Sequence, residues 1–330
     1  METIVTGGAG FIGSHLTELL LEKGHSVIVL DNFITGNKQN LASFKNDPNF
    51  KLVKADVTEF DKIKEYFKNV DWVFHLAALA DIVPSVSQPL KYLNNNIQST
   101  ISVLEASRQA GIKKFVYAAS SSCYGIAKQF PTPETASIKP EYPYALSKYI
   151  GEEIAMHYSK VYELPVISLR LFNVYGLRQR SSGVYGAMFG VFLAQKLAGK
   201  PYTVVGDGKQ TRDFVFVEDV IRAFLSAAES DVVGEIFNVG SGNIYSINNI
   251  VRLLKGPVVY IPKRPGEPDC TFADISKIKN KIGWEPKISL EKGIKILLDD
   301  IDYWKKAPVW TPESISRTTK EWFKYLNKNF

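Results

Sequence analysis

A doubly wound, parallel α/β sheet followed by a smaller, mixed α/β region is what this sequence predicts, on three observations. Short β-branched runs alternate with longer segments of helical period. The first run leads directly into a glycine cluster ahead of a helix. An aspartate closes the second run, about 20 residues beyond the glycines.

Taken in order, β-branched and apolar residues predict strands at 2–6, 26–30, 50–54, 72–76, 114–119 and 165–171. Helical spacing predicts helices at 11–23, 61–67, 95–110 and 144–162 between them. Right-handed crossovers then place helices on both faces of one sheet. After Gly176 the alternation weakens and Pro and Gly become frequent, as in AGKPYTVVGDGKQT and YIPKRPGEPDC. The expected division is therefore 1–175 for the first domain, with a segment at about 214–240 returning to it, and 176–330 for a mainly substrate-binding domain. Near the end, Thr311 reads as a helix cap and Pro312 as the first helical residue. That terminal helix is expected to dock without a chemical role.

Composition narrows the class. The 330 residues hold 40 Lys+Arg against 34 Asp+Glu, 45% apolar residues and two cysteines, a profile that excludes disorder, collagen and a disulfide scaffold. Cys123 and Cys270 are expected to be reduced thiols. The start, METIVTGG, lacks the flanks of a signal peptide, and no apolar run approaches the ~20 residues of a membrane span. A cytoplasmic protein with no membrane partner is expected. The charge of +6 is dispersed among acidic neighbours, so no nucleic-acid partner is expected either.

Gly7, Gly8, Gly10 and Gly13 stand between the first strand and first helix. Glycines there let the backbone turn sharply and approach a pyrophosphate, which the helix start favours. Phe11 and Ile12 share that loop. Asp31 suits the ribose hydroxyls of NAD and repels the extra phosphate of NADP, although Lys38 in the next loop keeps NADP open. Asp56, just after the third strand, is placed to meet the adenine edge. This is the Rossmann arrangement.

Tyr144 and Lys148 are four apart on a helical segment and share one face. A phenol is a poor base near neutrality, but a nearby ammonium and a positive nicotinamide ring both favour its phenolate. Ser120, Ser121 and Ser122 follow a strand's carboxyl end, where open parallel sheets place ligands.

TGGAGFIGS, HLAA, the Asn of NNNIQST, the Ser-Tyr-Lys set, LRLFNVYG, GDGKQTRDFVFVEDV and RPGEPDCTFADISK occur in one order from about residue 3 to 300. With these motifs the chain resembles an extended short-chain dehydrogenase/reductase of the nucleotide-sugar epimerase/dehydratase family, nearest its bacterial UDP-N-acetylglucosamine 4-epimerases. The resemblance implies NAD contacts from Gly7, Gly10, Phe11, Ile12, Gly13, Asp31, Asn32, Asp56, Val57, Ala77, Asn96, Tyr144 and Lys148. It implies catalysis by Ser120, Tyr144 and Lys148. Contacts to a nucleotide sugar are implied for Ser121, Ser122, Asn173, Val204, Arg212, Arg264 and Thr271, with no metal. Homodimerisation through the helices at 95–110 and 144–162 is implied as well.

One departure carries weight. Family 4,6-dehydratases keep an acidic residue two or three places before the tyrosine of the Y-G that ends this strand, and UDP-glucuronate decarboxylases tend to keep a Glu there. Here those places are Ser122 and Ser121. Eliminating water needs groups that take and give protons, and serines do this poorly. A 4-epimerase working through a 4-keto sugar is the expected activity. A 4,6-dehydratase, a 4-dehydrogenase and a non-catalytic NAD-binding regulator are the alternatives.

Overall fold

The structure is a computed structural model and describes residues 1–180 and 187–327. The chain runs β1 (Glu2–Thr6), α1 (Phe11–Glu22), β2 (Ser26–Asp31), β3 (Phe50–Lys54), α2 (Phe60–Ile63), β4 (Trp72–His75), α3 (Ile82–Ser87), α4 (Pro89–Ala110), β5 (Lys114–Ser120), α5 (Pro143–Tyr162) and β6 (Val166–Leu171). It continues through β7 (Asn173–Tyr175), α6 (Met188–Leu197), β8 (Tyr202–Val205), β9 (Thr211–Arg212), β10 (Phe214–Phe216), α7 (Val217–Glu229) and β11 (Glu235–Val239). Last come β12 (Tyr245–Ser246), α8 (Ile247–Leu254), β13 (Val258–Ile261), α9 (Ser276–Ile282), α10 (Leu290–Asp299), α11 (Pro312–Thr318) and α12 (Lys320–Leu326).

Among the described residues, seven strands form one parallel sheet in the order β11-β6-β5-β4-β1-β2-β3. The order reverses beside β1, which opens a crevice at the carboxyl ends of the strands. Strands β4, β5 and β6 are almost wholly buried because helices cover both faces, so their sequences read as continuous apolar runs. Consecutive residues serve opposite faces. Val5 and Val116 pack with Leu16 and Leu20 of α1 and Val220 and Phe224 of α7, whereas Ile4 and Phe115 pack with Val103 and Leu104 of α4 and Ala155 of α5. Strand β11 lies at the sheet edge beside β6, with Phe237 paired to Leu169. Three two-stranded pairs, β10 with β7, β12 with β9 and β13 with β8, make up the rest.

Several boundaries differ from expectation for local reasons. The helix expected at 95–110 starts at Pro89, because proline is well suited to a first turn that needs no N–H bond. The helix expected at 61–67 is a short α2 followed by a 3₁₀ turn, Lys64–Phe67. α3 was not expected at all; Pro84 falls in its first turn, where it is tolerated. Both cysteines are free. No described helix is long and apolar enough to cross a membrane.

Candidate active site

The first crevice is built by glycine. Gly7 has φ +70°, and a Cβ there would stand 2.8 Å from Ala77 N and 2.9 Å from Ala77 Cα. A Cβ on Gly13 would overlap the Gly7 carbonyl oxygen, so loop and helix fit only without side chains. Gly10 caps α1 but offers no side-chain bond to the first turn. That turn opens onto a cleft lined by Gly7, Phe11, Ile12 and Gly13, so its amides suit a pyrophosphate.

Asp31 is buried at the end of β2. Its carboxylate accepts the Ala9 N–H at 2.9 Å and the Phe33 N–H at 2.7 Å. Burial raises its pKa, and the two amide bonds oppose the rise. Asp31, Asn32, Asp56, Val57 and Ala77 line one cavity with Gly7. Burial acts to raise the Asp56 carboxyl, but bonds from the Thr58 N–H, the Thr58 hydroxyl and the Asn32 amide outweigh it and leave the group below its ordinary value. Asn96 is a correction. It is buried on α4, accepts the Leu79 N–H at 2.8 Å and donates to Leu79 O at 3.0 Å and Ser147 Oγ at 2.9 Å. It clamps the strand exit behind the cavity; its neighbour Asn95, about 100° round the helix, is the one that faces in.

Ser120, Ser121, Ser122, Tyr144 and Lys148 line the adjoining cleft, of about 590 Å³. Ser120 Oγ lies 2.8 Å from Ser122 Oγ, and Tyr142 and Tyr144 line the cleft with this serine pair. Lys148 is buried, with Nζ 4.3 Å from the centre of the Tyr117 ring. Burial lowers it to about 7, opposed by the charge of Glu152 one turn on. Glu152 is itself held by Arg170 Nη2 at 2.6 Å and by the Ser168 hydroxyl at 2.8 Å.

The expected lowering of Tyr144 is corrected. Burial raises its pKa, the Ser120 hydroxyl pulls it down, and Asp81 pushes it up again. The protein's own groups favour the neutral phenol.

On the other wall, Arg212 and Arg264 both reach the cleft, and Arg264 Nη2 lies 2.6 Å from Glu267 Oε1. Burial lowers Arg212, with Glu267 opposing and Arg264 adding to the fall. Two half-buried guanidiniums thus face the cleft on one wall, a setting suited to an anion. Asn173 Nδ2 donates to Thr271 Oγ1 at 2.8 Å, and both residues line the cleft. Val204 is a second correction: it lies on β8 with no exposed surface and packs into the core instead of the cleft.

Sequence reasoning missed Asp81, paired with Arg180 at 2.6 Å, and Tyr142 and Trp322, all of which line the cleft. For Tyr142 the signal was its place two residues before Tyr144. Asp81, Arg180 and Trp322 carried none, since each joins the cleft only through the fold.

A crevice fit for a dinucleotide beside a Ser-Tyr-Lys cluster defines a short-chain dehydrogenase/reductase. The chain belongs to the family described as GDP-mannose 4,6 dehydratase, whose model matches residues 4–297. It is 39% identical over 300 residues to a putative UDP-glucose 4-epimerase of Methanocaldococcus jannaschii, covering 88% of this chain and 95% of that one. A UDP-glucose 4-epimerase of Thermotoga maritima, solved with UDP-glucose, superimposes with TM-score 0.85 at 38% identity, covering 93% and 99% of the two chains. A UDP-glucuronic acid 4-epimerase of Bacillus cereus, solved with UDP-glucuronic acid and NAD, does so with TM-score 0.85 at 34% identity and the same coverage.

Proposed function

We propose that this protein is an NAD-dependent nucleotide-sugar 4-epimerase acting on a UDP-sugar, including the 2-acetamido sugars. The observation that carries the reading is the cluster of Ser120, Tyr144 and Lys148 in a cleft continuous with the glycine loop and walled by two arginines, with serines at 121 and 122. The epimerase relatives support it.

Gly7, Phe11, Ile12 and Gly13 hold the cofactor pyrophosphate, and Asp31 the adenosine ribose. NAD held there would supply hydride acceptance and return at carbon 4, and its positive ring would favour the Tyr144 phenolate that the protein alone disfavours. Tyr144 takes the proton of the sugar 4-hydroxyl and gives it back on the other face. Ser120 hydrogen-bonds the 4-oxygen. Lys148 orients the nicotinamide ribose. Arg212 and Arg264 grip the diphosphate, so the neutral 4-keto sugar can turn while the nucleotide stays fixed.

Thr271 sets the pocket size. A threonine hydroxyl held by Asn173 leaves room that a tyrosine ring would fill. Thr271→Tyr is expected to lose activity on acetamido sugars selectively, with overpacking costing about 1–3 kcal/mol. Equal loss on all sugars overturns this assignment.

The deciding experiment incubates the protein with UDP-, GDP-, dTDP- and CDP-sugars and reads products by NMR. An epimer supports the reading, whereas a 4-keto-6-deoxy sugar or a pentose overturns it. We also infer a homodimer through α4 and α5, which expose Leu90, Leu146, Val161 and Tyr162. Light scattering should give twice 36.9 kDa.

A further inference from the structure

The family match ends at residue 297, and α12 lies beyond it. Yet α12 reaches the cleft. The tail leading to it is tied down at several points. Gln195 Nε2 donates to Trp310 O at 2.8 Å, Thr311 and Ser314 form a capping box at the start of α11, and Ile315 packs into the core. α12 then lies against α3. Its Trp322 is 2% exposed, and its side chain makes two directional contacts. The indole Nε1–H donates to Pro265 O at 2.7 Å, inside the segment that carries Arg264 and Glu267. The ring packs on Tyr142 with centroids 5.5 Å apart. Tyr142 lines the cleft together with Ser120, Ser122 and Tyr144.

We propose that α12 is a wall of the substrate cleft and that Trp322 is a positioning residue, seating the Arg264 loop against a nucleoside diphosphate and holding the Tyr142 ring at the cleft wall. This rests on the nucleotide-sugar reading above. A backbone carbonyl fixed by one indole donor sets where the Arg264 guanidinium starts, and a bidentate grip on phosphate depends on that placement. A terminal helix that merely covered apolar surface would need no bond to the arginine loop.

Two full-length variants separate these roles. Trp322→Phe keeps a ring against Tyr142 and removes the donor to Pro265 O. Trp322→Ala removes both contacts. Affinity for UDP is measured by calorimetry, NAD content by release and absorbance, and folding by thermal melting. Loss of one hydrogen bond predicts a 3- to 10-fold rise in the UDP Kd for Trp322→Phe, with kcat within about twofold of wild type and NAD content unchanged. Trp322→Ala should lose both UDP affinity and kcat.

UDP affinity unchanged in a Trp322→Phe protein that melts like wild type overturns the proposal, as does a Trp322→Ala protein with wild-type kcat/KM. If the wild type binds UDP but epimerises no sugar nucleotide, the epimerase reading fails while the UDP comparison still decides the role of Trp322. A wild type that binds no UDP overturns both.

Discussion

Burial acts in opposite directions on the two ionisable groups that share one face of α5. It holds the Tyr144 phenol up and the Lys148 ammonium down to about 7, so both are pushed toward their neutral forms. Removing only the ionisable oxygen, Tyr144→Phe, should lower kcat about 100- to 10,000-fold while sugar-nucleotide and NAD binding persist. Calorimetry beside a rate assay checks both halves. Lys148 has a second, thermodynamic signature. Its folded pKa lies below the unfolded value near 10.4, so the buried charge destabilises the fold fully below about pH 7, and the penalty fades as pH rises toward the unfolded value. Lys148→Met in NAD-free protein should therefore gain stability at pH 6.5 and gain little at pH 10, a difference on the order of 2–4 kcal/mol read from denaturant melts at the two pH values. At this scale the sequence showed which residues meet and misjudged their protonation. Spacing reveals a shared helix face, but burial comes from β5, β6, α3 and α4, which pack against α5.

Among the elements, the join between β1 and α1 tolerates the least change. Gly13→Ala should abolish NAD co-purification, because the added methyl would overlap the Gly7 carbonyl and the Gly8 Cα, both backbone atoms that cannot swing away. Nucleotide released by acid and measured by absorbance gives the answer directly. The strands β1 to β6 were legible because covered parallel strands must be continuously apolar, and each began where the pattern predicted or one residue later, whereas β11 was foreseen only as part of a returning segment. Two kinds of element were not. α3 was missed and the start of α4 was placed at 95 instead of 89, although Pro84 and Pro89 fall in their first turns, where proline is tolerated. α12 was expected only to dock, since the Trp322 contacts to Pro265 and Tyr142 join residues 57 and 180 apart in sequence, beyond any local pattern.

For the whole molecule, an epimerase returns the hydride it takes, so steady turnover should leave nicotinamide absorbance at about its starting value. NADH released in proportion to substrate consumed would make the protein a dehydrogenase. The order of the sheet has a consequence of another kind. β11 completes the sheet by pairing with β6, and 68 residues (239 − 171) separate the ends of the two strands. At synthesis rates of roughly 5–20 residues per second, β6 emerges from the ribosome roughly 3–14 s before its neighbour. For that interval its outer edge, carrying Ile167, Leu169 and Leu171, offers unpaired amides and carbonyls to any other nascent chain. Until β11 arrives, that edge is a template for mispairing in the growing chain, which closure of the sheet then removes.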